Sequence, residues 1–563
     1  MNILGIGGYS HDSAAALVCD GRVVAAVAEE RLSRVKHQGG IPHRAIAWCL
    51  EAGGITAEEV DHVGCYMRPG LRLGKRLPYR ASTFFKHPFY ATAFAGYEII
   101  HNAQYIQGMR KLTPPHGKLH YMEHHPAHAA SAFLCSPFEE AALLSIDYVG
   151  EWAVTWTGVG RGGAITRLRQ TNYPNSLGVF YSALTDYLGF LRASDEYKVM
   201  GLASYGEPTY YDDLKEVIRP QEDGWYAIDH RYTAWHYLPG SRCGYFSQRF
   251  IDRFGPPRKK DEPITEHHRN LAASAQRLLE DIVLNLCRSL HKETGLKKLC
   301  LAGGVALNCS MNGRLKREGP FEDIWVQPAS GDDGIAIGAA LQLHHQFGGS
   351  PRNFVMDHAF LGPEVSNEEI GDFLDLTKTP YHRSENIAED TAKLLAEGKI
   401  VGWFQGPMEF GPRALGSRSI LADPTRPDMK DLLNKHVKFR EEFRPFAPSV
   451  LAEHASTYFE GCTDSPFMLF VYPVRAEKQA EVPAVTHIDG TARVQTVTEA
   501  ANPRYYQLIK AFADLRGTPM LLNTSFNVMG EPIVHSPSDA IRCFYSTGMD
   551  ALAIGDYLIV KNP

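Results

Sequence analysis

The chain has 563 residues, of which 44% are hydrophobic and 22% are charged, and its formal net charge is -6 at pH 7. A chain of this length exceeds one hydrophobic core, so at least two domains are expected. The composition is that of a globular protein, and the acidic balance argues against nucleic acid as a partner. No apolar run approaches the ~18 residues of a membrane-spanning helix, which argues against a membrane protein.

The cysteines and the first residues indicate a cellular compartment. The ten cysteines are scattered and form no C-x-x-C pair, which disfavours a disulfide framework or a zinc ribbon. Residues 1–5 lack the basic stretch of a signal peptide and read as a first strand. We therefore expect a cytoplasmic protein.

The chain opens with three predicted strands. Residues 2–18 predict two strands joined by a glycine-rich polar turn, and residues 22–30 predict a third strand after a tight hairpin turn. The glycines of the first turn could offer backbone N–H groups to phosphate oxygens, although a plain hairpin turn needs glycines too. The same turn carries His11 and Asp12.

A histidine pair follows in residues 124–133. If the small residues of this stretch form a helix, His124 and His128 lie one turn apart on the same face. Two imidazoles at this spacing suit a first-row transition metal, and Asp147, after an apolar run, could add a carboxylate. The alternative is a structural pair that only forms hydrogen bonds at the start of a helix.

The opening pattern recurs after the histidine pair. Residues 142–146 predict a strand, an acidic glycine-containing turn follows, and residues 152–158 predict a second strand that leads to a third. Two copies of strand, polar turn, strand, turn and strand indicate an internally duplicated α/β domain.

Two further turns place polar groups before predicted helices. A buried strand leads into Gly303 and Gly304 and then towards Asn308, where phosphate could meet a helix N-terminus. This is not a Walker loop, because no G-K-[ST] follows. Asp332 and Asp333 precede a predicted helix that is rich in small residues.

Taken together, these motifs resemble the actin/hexokinase-like ATPase fold, and the histidine pair ahead of the second acidic turn resembles its tRNA threonylcarbamoyl-transferring (Kae1-like) branch. Within that branch, three further motifs are similar to the O-carbamoyltransferases of antibiotic and nodulation-factor biosynthesis, the NodU/CmcH/TobZ type. They are EYKVMGLA at residues 196–203, GPRALGSR at residues 411–418 and FRPFAP at residues 443–448. The resemblance covers essentially the whole chain and says nothing about the acceptor.

The resemblance implies an α/β protein with two domains. Residues 1–350 would form the duplicated, Kae1-like transfer domain, and residues 351–563 a smaller α/β domain that resembles YrdC. The Gly/Pro-rich, polar stretch at residues 348–353 supports a boundary there.

Cationic residues cluster beyond this boundary, in turns beside predicted buried strands. Arginine matches two phosphate oxygens with its planar fork, so these side chains are candidates for phosphate binding. They could also be solvated surface pairs, with Glu441 and Glu442 as partners. The candidates are Arg413, Lys438, Arg440, Arg444 and Arg493.

For this domain, the resemblance implies that carbamoyl phosphate is cleaved and that carbamate attacks ATP, giving carbamoyl-adenylate and pyrophosphate. Charge alone predicts Mg²⁺ with the triphosphate. Arg418 and Arg440 are second choices for phosphate contacts. The residues carried over by motif are Arg413, Lys438, Arg444 and Arg493 for phosphates, and Asn523 and Ser525 for the nucleotide or the carbamoyl group.

For the first domain, the resemblance implies that the adenylate is held by Gly303, Gly304 and Asn308. The family motif points to iron, Fe(II), although two histidines and carboxylates do not by themselves separate iron from zinc or manganese. Alignment favours Asp332 as a ligand, with Asp333 meeting the nucleotide. The predicted ligands are His124, His128, Asp147 and Asp332.

The attack of an acceptor hydroxyl requires a base, and His11 is the natural candidate because an imidazole titrates near neutral pH. The alternative is a turn histidine bonded to the backbone. Asp12 and Lys36 complete the predicted catalytic set, and Lys36 could contact the nucleotide or the acceptor.

The acceptor is predicted only as a small secondary metabolite with a hydroxyl group. Aromatic-rich segments at residues 83–90 and 232–237 suit sugar-like or polyketide-like acceptors, or are ordinary packing. No nucleic-acid or membrane partner is expected, and a homodimer is compatible with the sequence. Two other functions stay open: a fused tRNA threonylcarbamoyl-adenosine synthase and a non-enzymatic, nucleotide-dependent module.

Overall fold

The structure is a computed structural model that describes residues 1–85, 88–236, 244–348 and 351–561. It divides into two compact units, Met1–Ala26 with Gly39–Val355, and Val27–Gln38 with Met356–Pro563. The sequence predicted one domain boundary, near residue 350. Residues 349–350 themselves lie outside the described part of the chain. The prediction did not assign the segment Val27–Gln38, which includes helix α1 (Glu29–Ser33), to the second unit.

The first unit contains two five-stranded sheets with the same strand order. In the first sheet the order is 3-2-1-4-5, with strands 1 to 3 antiparallel and strands 4 and 5 parallel to strand 1. Its strands are β1 (Asn2–Gly7), β2 (Ala14–Cys19), β3 (Arg22–Ala28), β4 (His62–Cys65) and β5 (Lys118–Tyr121).

The second sheet repeats this arrangement. Its first three strands are antiparallel neighbours, and its last two run parallel to the first of them. Its strands are β6 (Glu140–Ile146), β7 (Ala153–Arg161), β8 (Ala164–Asn172), β11 (Lys298–Ala302) and β12 (Asp323–Val326), and a hairpin of β9 (Ile218–Pro220) and β10 (Tyr226–Ile228) stands apart. The α/β duplication predicted from the repeated pattern is therefore present.

Helices cover these sheets. The helix formed by residues 335–348 packs against β1 and against the helix that starts at His124. A Cβ atom on Gly338 would lie 2.0 Å from the carbonyl oxygen of Ala127, so only glycine permits this close approach. The helices are α2 (His43–Ala52), α3 (Pro69–Thr83), α4 (Pro88–Leu112), α5 (His124–Phe133), α6 (Leu177–Tyr187), α7 (Glu196–Ala203), α8 (Tyr211–Val217), α9 (Gln248–Phe254), α10 (Glu266–Thr294), α11 (Cys309–Glu318) and α12 (Ile335–Gly348).

The second unit is built on a mixed eight-stranded sheet of order 13-22-21-14-15-20-16-19. Most neighbours are antiparallel, and the pairs 14/21 and 16/19 are parallel. The strands are β13 (His382–Arg383), β14 (Val401–Phe404), β15 (Arg418–Ala422), β16 (Ala447–Leu451), β19 (Gln495–Val497), β20 (Met520–Ser525), β21 (Ala551–Ile554) and β22 (Tyr557–Val560), and β17 (Val471–Pro473) pairs separately with β18 (Thr491–Arg493).

The helices of this unit pack around a core in which the fully buried Trp403, Tyr505 and Phe512 take part. They are α13 (Asn367–Leu376), α14 (Ile387–Ala396), α15 (Met429–Leu432), α16 (Ala455–Tyr458), α17 (Pro503–Arg516) and α18 (Pro537–Tyr545). Across the described residues of both units, no helix has the length and apolar character required to span a membrane.

Candidate active site

Four buried side chains of the first unit converge on one point. His124 and His128 lie in the first turns of α5, Asp147 follows β6, and Asp332 precedes α12. The His124 Nε2 atom lies 3.0 Å from Asp147 Oδ2 and 3.1 Å from His128 Nε2, and His128 Nε2 lies 3.6 Å from Asp332 Oδ1. One potential ligand atom from each residue lies within 4.8 Å of the others.

The local sequence explains how the histidines reach this position. Helix α5 begins at His124, two residues before Pro126, because a proline in the first turn removes an N–H that has no partner within the helix. The carboxylate of Glu151 accepts the backbone N–H of His124 at 3.2 Å and that of Arg68 at 2.8 Å. Glu151 therefore anchors the start of the helix that carries both histidines.

The neighbouring glycine turn holds the aspartate. The N–H of Gly304 donates to Asp147 Oδ1 at 2.8 Å, which leaves Oδ2 facing the histidines. Gly303 has a φ of +88°, and a Cβ atom there would lie 2.3 Å from the carbonyl oxygen of Ile146. Gly304 therefore orients the carboxylate of Asp147, and Gly303 allows its turn to approach the end of β6.

The electrostatics of the cluster match a cation. Burial opposes protonation of His128, but the carboxylates of Asp147 and Asp332 outweigh it and raise its pKa to about 9. Burial likewise opposes ionisation of Asp147, but hydrogen bonds with His124 and His128 hold its pKa well below the ordinary value. Two nitrogens and two carboxylate oxygens that converge in a buried pocket fit a divalent transition metal.

His11 and Asp12 lie at the edge of this cluster. The side chain of His11 is 48% exposed, with Nδ1 3.0 Å from Asp12 Oδ2 and Nε2 4.0 Å from Asp332 Oδ2. Partial loss of hydration favours the neutral ring, but the hydrogen bond with Asp12 and the charge of Asp332 raise its pKa to about 10. Because a cation held by Asp332 would offset this negative charge, its binding would lower the pKa of His11.

Some polar groups of the residues predicted to bind the nucleotide already form hydrogen bonds within the protein. Gly304 uses its N–H for Asp147, and Asn308 caps α11, accepting the Met311 N–H at 3.0 Å and pairing with Gln276. The N–H of Gly334 donates to Asp333 Oδ1 at 3.0 Å, so this carboxylate lies in its own turn and outside the four-residue cluster.

In the second unit, Lys438 ends a π-helical turn, Leu433–Lys438, and its ammonium group is buried among oxygens. Its Nζ lies 2.8 Å from the carbonyl oxygens of Ser525 and Asn527 and 2.7 Å from Asn527 Oδ1. Burial, followed by the positive charges of Arg440, Arg444 and Lys36, lowers the pKa of Lys438 well below its usual value. Anionic phosphate would relieve this repulsion.

The segment Val27–Gln38 brings Lys36 to this group. Arg34 donates to the carbonyl oxygens of Ile533 at 2.6 Å and Pro532 at 2.9 Å and is ion-paired with Asp539 at 3.2 Å. Arg31 donates to the carbonyl oxygen of Gly411 at 3.0 Å. The sequence predicted Lys36 in one catalytic set with His11 and Asp12, and in the structure its charge also acts on Lys438.

Glu409 holds the loop that carries Arg413 through hydrogen bonds to its backbone. One carboxylate oxygen of the buried Glu409 accepts the N–H groups of Leu415 at 2.7 Å and Ser417 at 2.8 Å. Arg413 is half-buried on this loop.

Arg418, a second choice for phosphate binding, is instead part of the core. Its side chain is fully buried, its guanidinium lies 3.7 Å from the Phe404 ring centroid, and it donates to the carbonyl oxygens of Gln405, Gly406 and Pro363. Burial lowers its pKa to about 10. A guanidinium committed to backbone carbonyls in this way is unavailable to a ligand.

We expect Arg418→Met to destabilise the second unit by about 3 kcal/mol, because several buried carbonyls lose a charged donor. Urea unfolding of the full chain would measure the shift, with Arg426→Met, at a more exposed arginine paired with Asp428, as the control. An unchanged unfolding midpoint together with lost activity would show that Arg418 binds ligand.

The remaining residues predicted to bind phosphate or nucleotide differ in burial and in hydrogen bonding. Arg493 ends β18, and its buried Nε has no hydrogen-bond partner among the residues that the structure describes. Ser525 is half-buried beside Lys438. Asn523 is buried, and its amide nitrogen lies 3.0 Å from Ser449 Oγ and 3.2 Å from Gln495 Oε1, so it stabilises the sheet that carries Ser525.

Sequence reasoning missed Glu151 and Glu409, two buried carboxylates that organise the backbone of the sites. Glu151 lies in the acidic turn after β6, so its place in the turn could be predicted from the sequence, but the groups that its side chain contacts could not. Nothing in the sequence distinguishes the buried Glu409 from the half-buried Glu441 or the exposed Glu442 that follow it.

Comparison with known proteins gives the same family for both parts of the chain. The family model described as the carbamoyltransferase N-terminus matches residues 2–341, and the model described as the carbamoyltransferase C-terminus matches residues 392–561. The uncharacterised protein sll1178 of Synechocystis is 44% identical over 100% of this chain and 97% of its own length. Nodulation protein NolNO of Sinorhizobium fredii is 40% identical over 98% of this chain and 79% of its own. HypF of T. kodakarensis aligns with a TM-score of 0.32 at 16% identity, over 62% of this chain and 48% of that one.

Proposed function

The chain belongs to the carbamoyltransferase family, and from this premise we propose that it is an ATP-dependent O-carbamoyltransferase that acts on a hydroxyl of a small secondary metabolite. The observation that carries the proposal is the buried convergence of His124, His128, Asp147 and Asp332. A chain that only bound nucleotide for regulation would have no use for this set of donors beside a half-exposed histidine.

In the second unit, carbamoyl phosphate and water give carbamate, phosphate and a proton. A carbamate oxygen then forms a bond to the α-phosphorus of ATP while the bond to pyrophosphate breaks, which gives carbamoyl-adenylate. Charge on the departing groups needs cations, which Lys438, Arg444, Arg413 and Arg493 supply, with Mg²⁺ on the triphosphate. Lys36 joins this group, because it contributes to the electrostatic field at Lys438.

In the first unit, the acceptor oxygen forms a bond to the carbamoyl carbon, and the bond between that carbon and the AMP oxygen breaks. The acceptor proton passes to His11, and the products are the carbamate ester and AMP. His124, His128, Asp147 and Asp332 would hold the metal, Fe(II) in our proposal, which when bound supplies Lewis acidity to the carbamoyl or phosphate oxygen.

Labelled carbamoyl phosphate tests the proposal. The metal-loaded protein, incubated with ATP and ¹⁴C-carbamoyl phosphate, should release pyrophosphate and form labelled AMP conjugate even without acceptor. Absence of pyrophosphate release under these conditions would contradict it. A parallel reaction with tRNA distinguishes the fused threonylcarbamoyl-adenosine synthase, which would label tRNA instead.

We expect His11→Asn to lower carbamoyl transfer by roughly a hundredfold while pyrophosphate release is retained, because general-base assistance is worth ~10²–10⁴-fold. Transfer would be measured with a competent acceptor and adenylation by pyrophosphate release. His116→Asn, at an exposed histidine elsewhere in the first unit, serves as the control. Normal transfer by His11→Asn would make His11 a structural turn residue.

A further inference from the structure

The turn that leads out of the four-residue cluster is fixed to helices α3 and α4. Arg76 donates from Nη2 to the carbonyl oxygen of Gly150 at 2.6 Å and from Nε to that of Glu151 at 2.8 Å. Arg76 is itself ion-paired with Glu98, on α4, at 2.9 Å. The backbone between Asp147 and Trp152 is therefore held against these two helices.

Aromatic side chains collect beside this turn. The ring centroids of Tyr79 and Trp152 are 5.2 Å apart, those of Tyr79 and Tyr173 are 5.7 Å apart, and those of Trp152 and Tyr173 are 6.0 Å apart. All three residues are half-buried. Tyr148, which follows Asp147 directly, lies near Tyr245, and burial raises the pKa of its hydroxyl.

The polar ends of these rings are already occupied. The hydroxyl of Tyr79 donates to the carbonyl oxygen of His236 at 3.1 Å, and that of Tyr173 donates to the carbonyl oxygen of Trp235 at 2.6 Å. Because the hydroxyls are tied to the backbone, the rings are fixed. Fixed, half-buried aromatic faces offer a rigid apolar surface to a ligand that is itself partly apolar, such as the C–H face of a sugar ring.

Three arginines of helix α3 lie near the carboxylate of Glu98. Glu98 forms ion pairs with Arg72 and Arg76 and also attracts Arg80. The side chain of Arg80 is buried, 4.3 Å from the Phe94 ring centroid. Its Nε lacks a hydrogen-bond partner, and its guanidinium forms no ion pair, within the described part of the chain.

A second arginine lies against another aromatic ring near this turn. The guanidinium of Arg192 is 4.7 Å from the ring centroid of Tyr245. Asp186 interacts electrostatically with Arg192, which is itself half-buried. Of the two arginines, Arg80 is the buried one, and a buried cation without an ion pair is costly, so that a bound anion would reduce this cost.

We propose that these residues, the aromatic–arginine cluster (Tyr79, Arg80, Trp152, Tyr173, Arg192 and Tyr245), bind the acceptor, and that the acceptor is a polyhydroxylated ring carrying an anionic group. This inference rests on the proposed function. The rings stack on the C–H face of the acceptor, the arginines neutralise its carboxylate or phosphate, and one hydroxyl faces the turn at Asp147. There the hydroxyl oxygen gains the carbamoyl carbon, AMP leaves, and the proton passes to His11.

Three methyl glycosides with the same ring test the charge. The full metal-loaded chain is given ATP, ¹⁴C-carbamoyl phosphate and either methyl glucuronide, methyl glucoside or methyl glucosaminide, and label transfer and Trp fluorescence are measured. We expect kcat/KM and affinity to be highest for the glucuronide, by about tenfold over the glucoside, and lowest for the cationic glucosaminide. Arg192→Gln should abolish this difference without changing pyrophosphate release.

The control is Arg161→Gln, which removes a 68% exposed arginine elsewhere in the same unit and should keep the preference. Because Arg80 is buried, Arg192→Gln, at a half-buried position, is the primary variant. Equal use of the three glycosides, preference for the glucosaminide, or no binding and no labelling of any of them would overturn the inference. Each of these results would leave the proposed function standing as long as pyrophosphate is released, whereas loss of pyrophosphate release in the unmodified chain overturns both.

Discussion

Replacing His128 by alanine should remove the metal from the first unit and lower carbamoyl transfer by at least about a hundredfold. His128 is fully buried and lies within 3.8 Å of both Asp147 and Asp332, so its loss leaves two carboxylates with one imidazole. Pyrophosphate release from ATP and carbamoyl phosphate should persist, because the residues proposed for that step belong to the second unit. Metal content would be measured by mass spectrometry, in parallel with both reactions.

A fully buried histidine could also matter for folding, so the comparison needs isosteric and unrelated variants. Asp332→Asn keeps the shape of the side chain and should lose metal in the same way, whereas His120→Ala, at a half-buried histidine of β5, should keep it. Full metal content in His128→Ala would contradict the site. Loss of both reactions in a folded variant would contradict the separation of the two chemistries.

Replacing Arg444 by alanine should lower carbamoyl-adenylate formation by on the order of a thousandfold, because a cation that faces phosphoryl charge is lost. Arg444 contributes to the positive field at the buried Lys438, and its Nη1 atom lies 3.8 Å from Glu441 Oε2. A phosphate bound beside Lys438 would lie in this positive field. Pyrophosphate release would be measured at saturating ATP and carbamoyl phosphate, together with metal content.

The metal content of Arg444→Ala should equal that of the unmodified protein. Arg426→Ala, which removes a more exposed arginine ion-paired with Asp428, controls for the loss of a positive charge from the same unit. Full adenylation activity in Arg444→Ala would remove Arg444 from the phosphate site, and unchanged transfer with lost adenylation would require a different source of activated carbamate.

The duplicated strands could be predicted because alternating apolar runs and glycine turns recur in both halves of the first unit. The approach of His124, His128 and Asp147 was also visible, since a helix repeat and a strand end fix where Cα atoms lie. Asp332 faces the histidines and Asp333 does not. The hydrophobic pattern of the sequence does not distinguish these two adjacent residues, because the choice depends on the local backbone conformation of the turn. The electrostatic effect of Lys36 on Lys438 joins residues about four hundred positions apart within the second unit and has no local signal.

Other roles depend on what a side chain is paired with, which residue type does not reveal. Arg418 looks like a phosphate ligand in sequence, but the nearest groups are backbone carbonyls and the Phe404 ring. Asn308 looks like a nucleotide contact and serves as a helix cap. Parts of the aromatic segments predicted to meet the acceptor, including residues 86–87 and residue 237, lie outside the described residues. The residues we now assign to the acceptor come mainly from other elements.

The second unit takes in twelve residues from near the start of the chain, Val27–Gln38. A gene fragment that begins at residue 356 would therefore encode a protein with a missing piece. The carbonyl oxygens of Gly411, Pro532 and Ile533 would lose their arginine donors, and Lys438 would lose Lys36 as a neighbour. Separating the two proposed activities thus calls for point substitutions in the intact polypeptide, since cutting the chain once cannot yield two complete units.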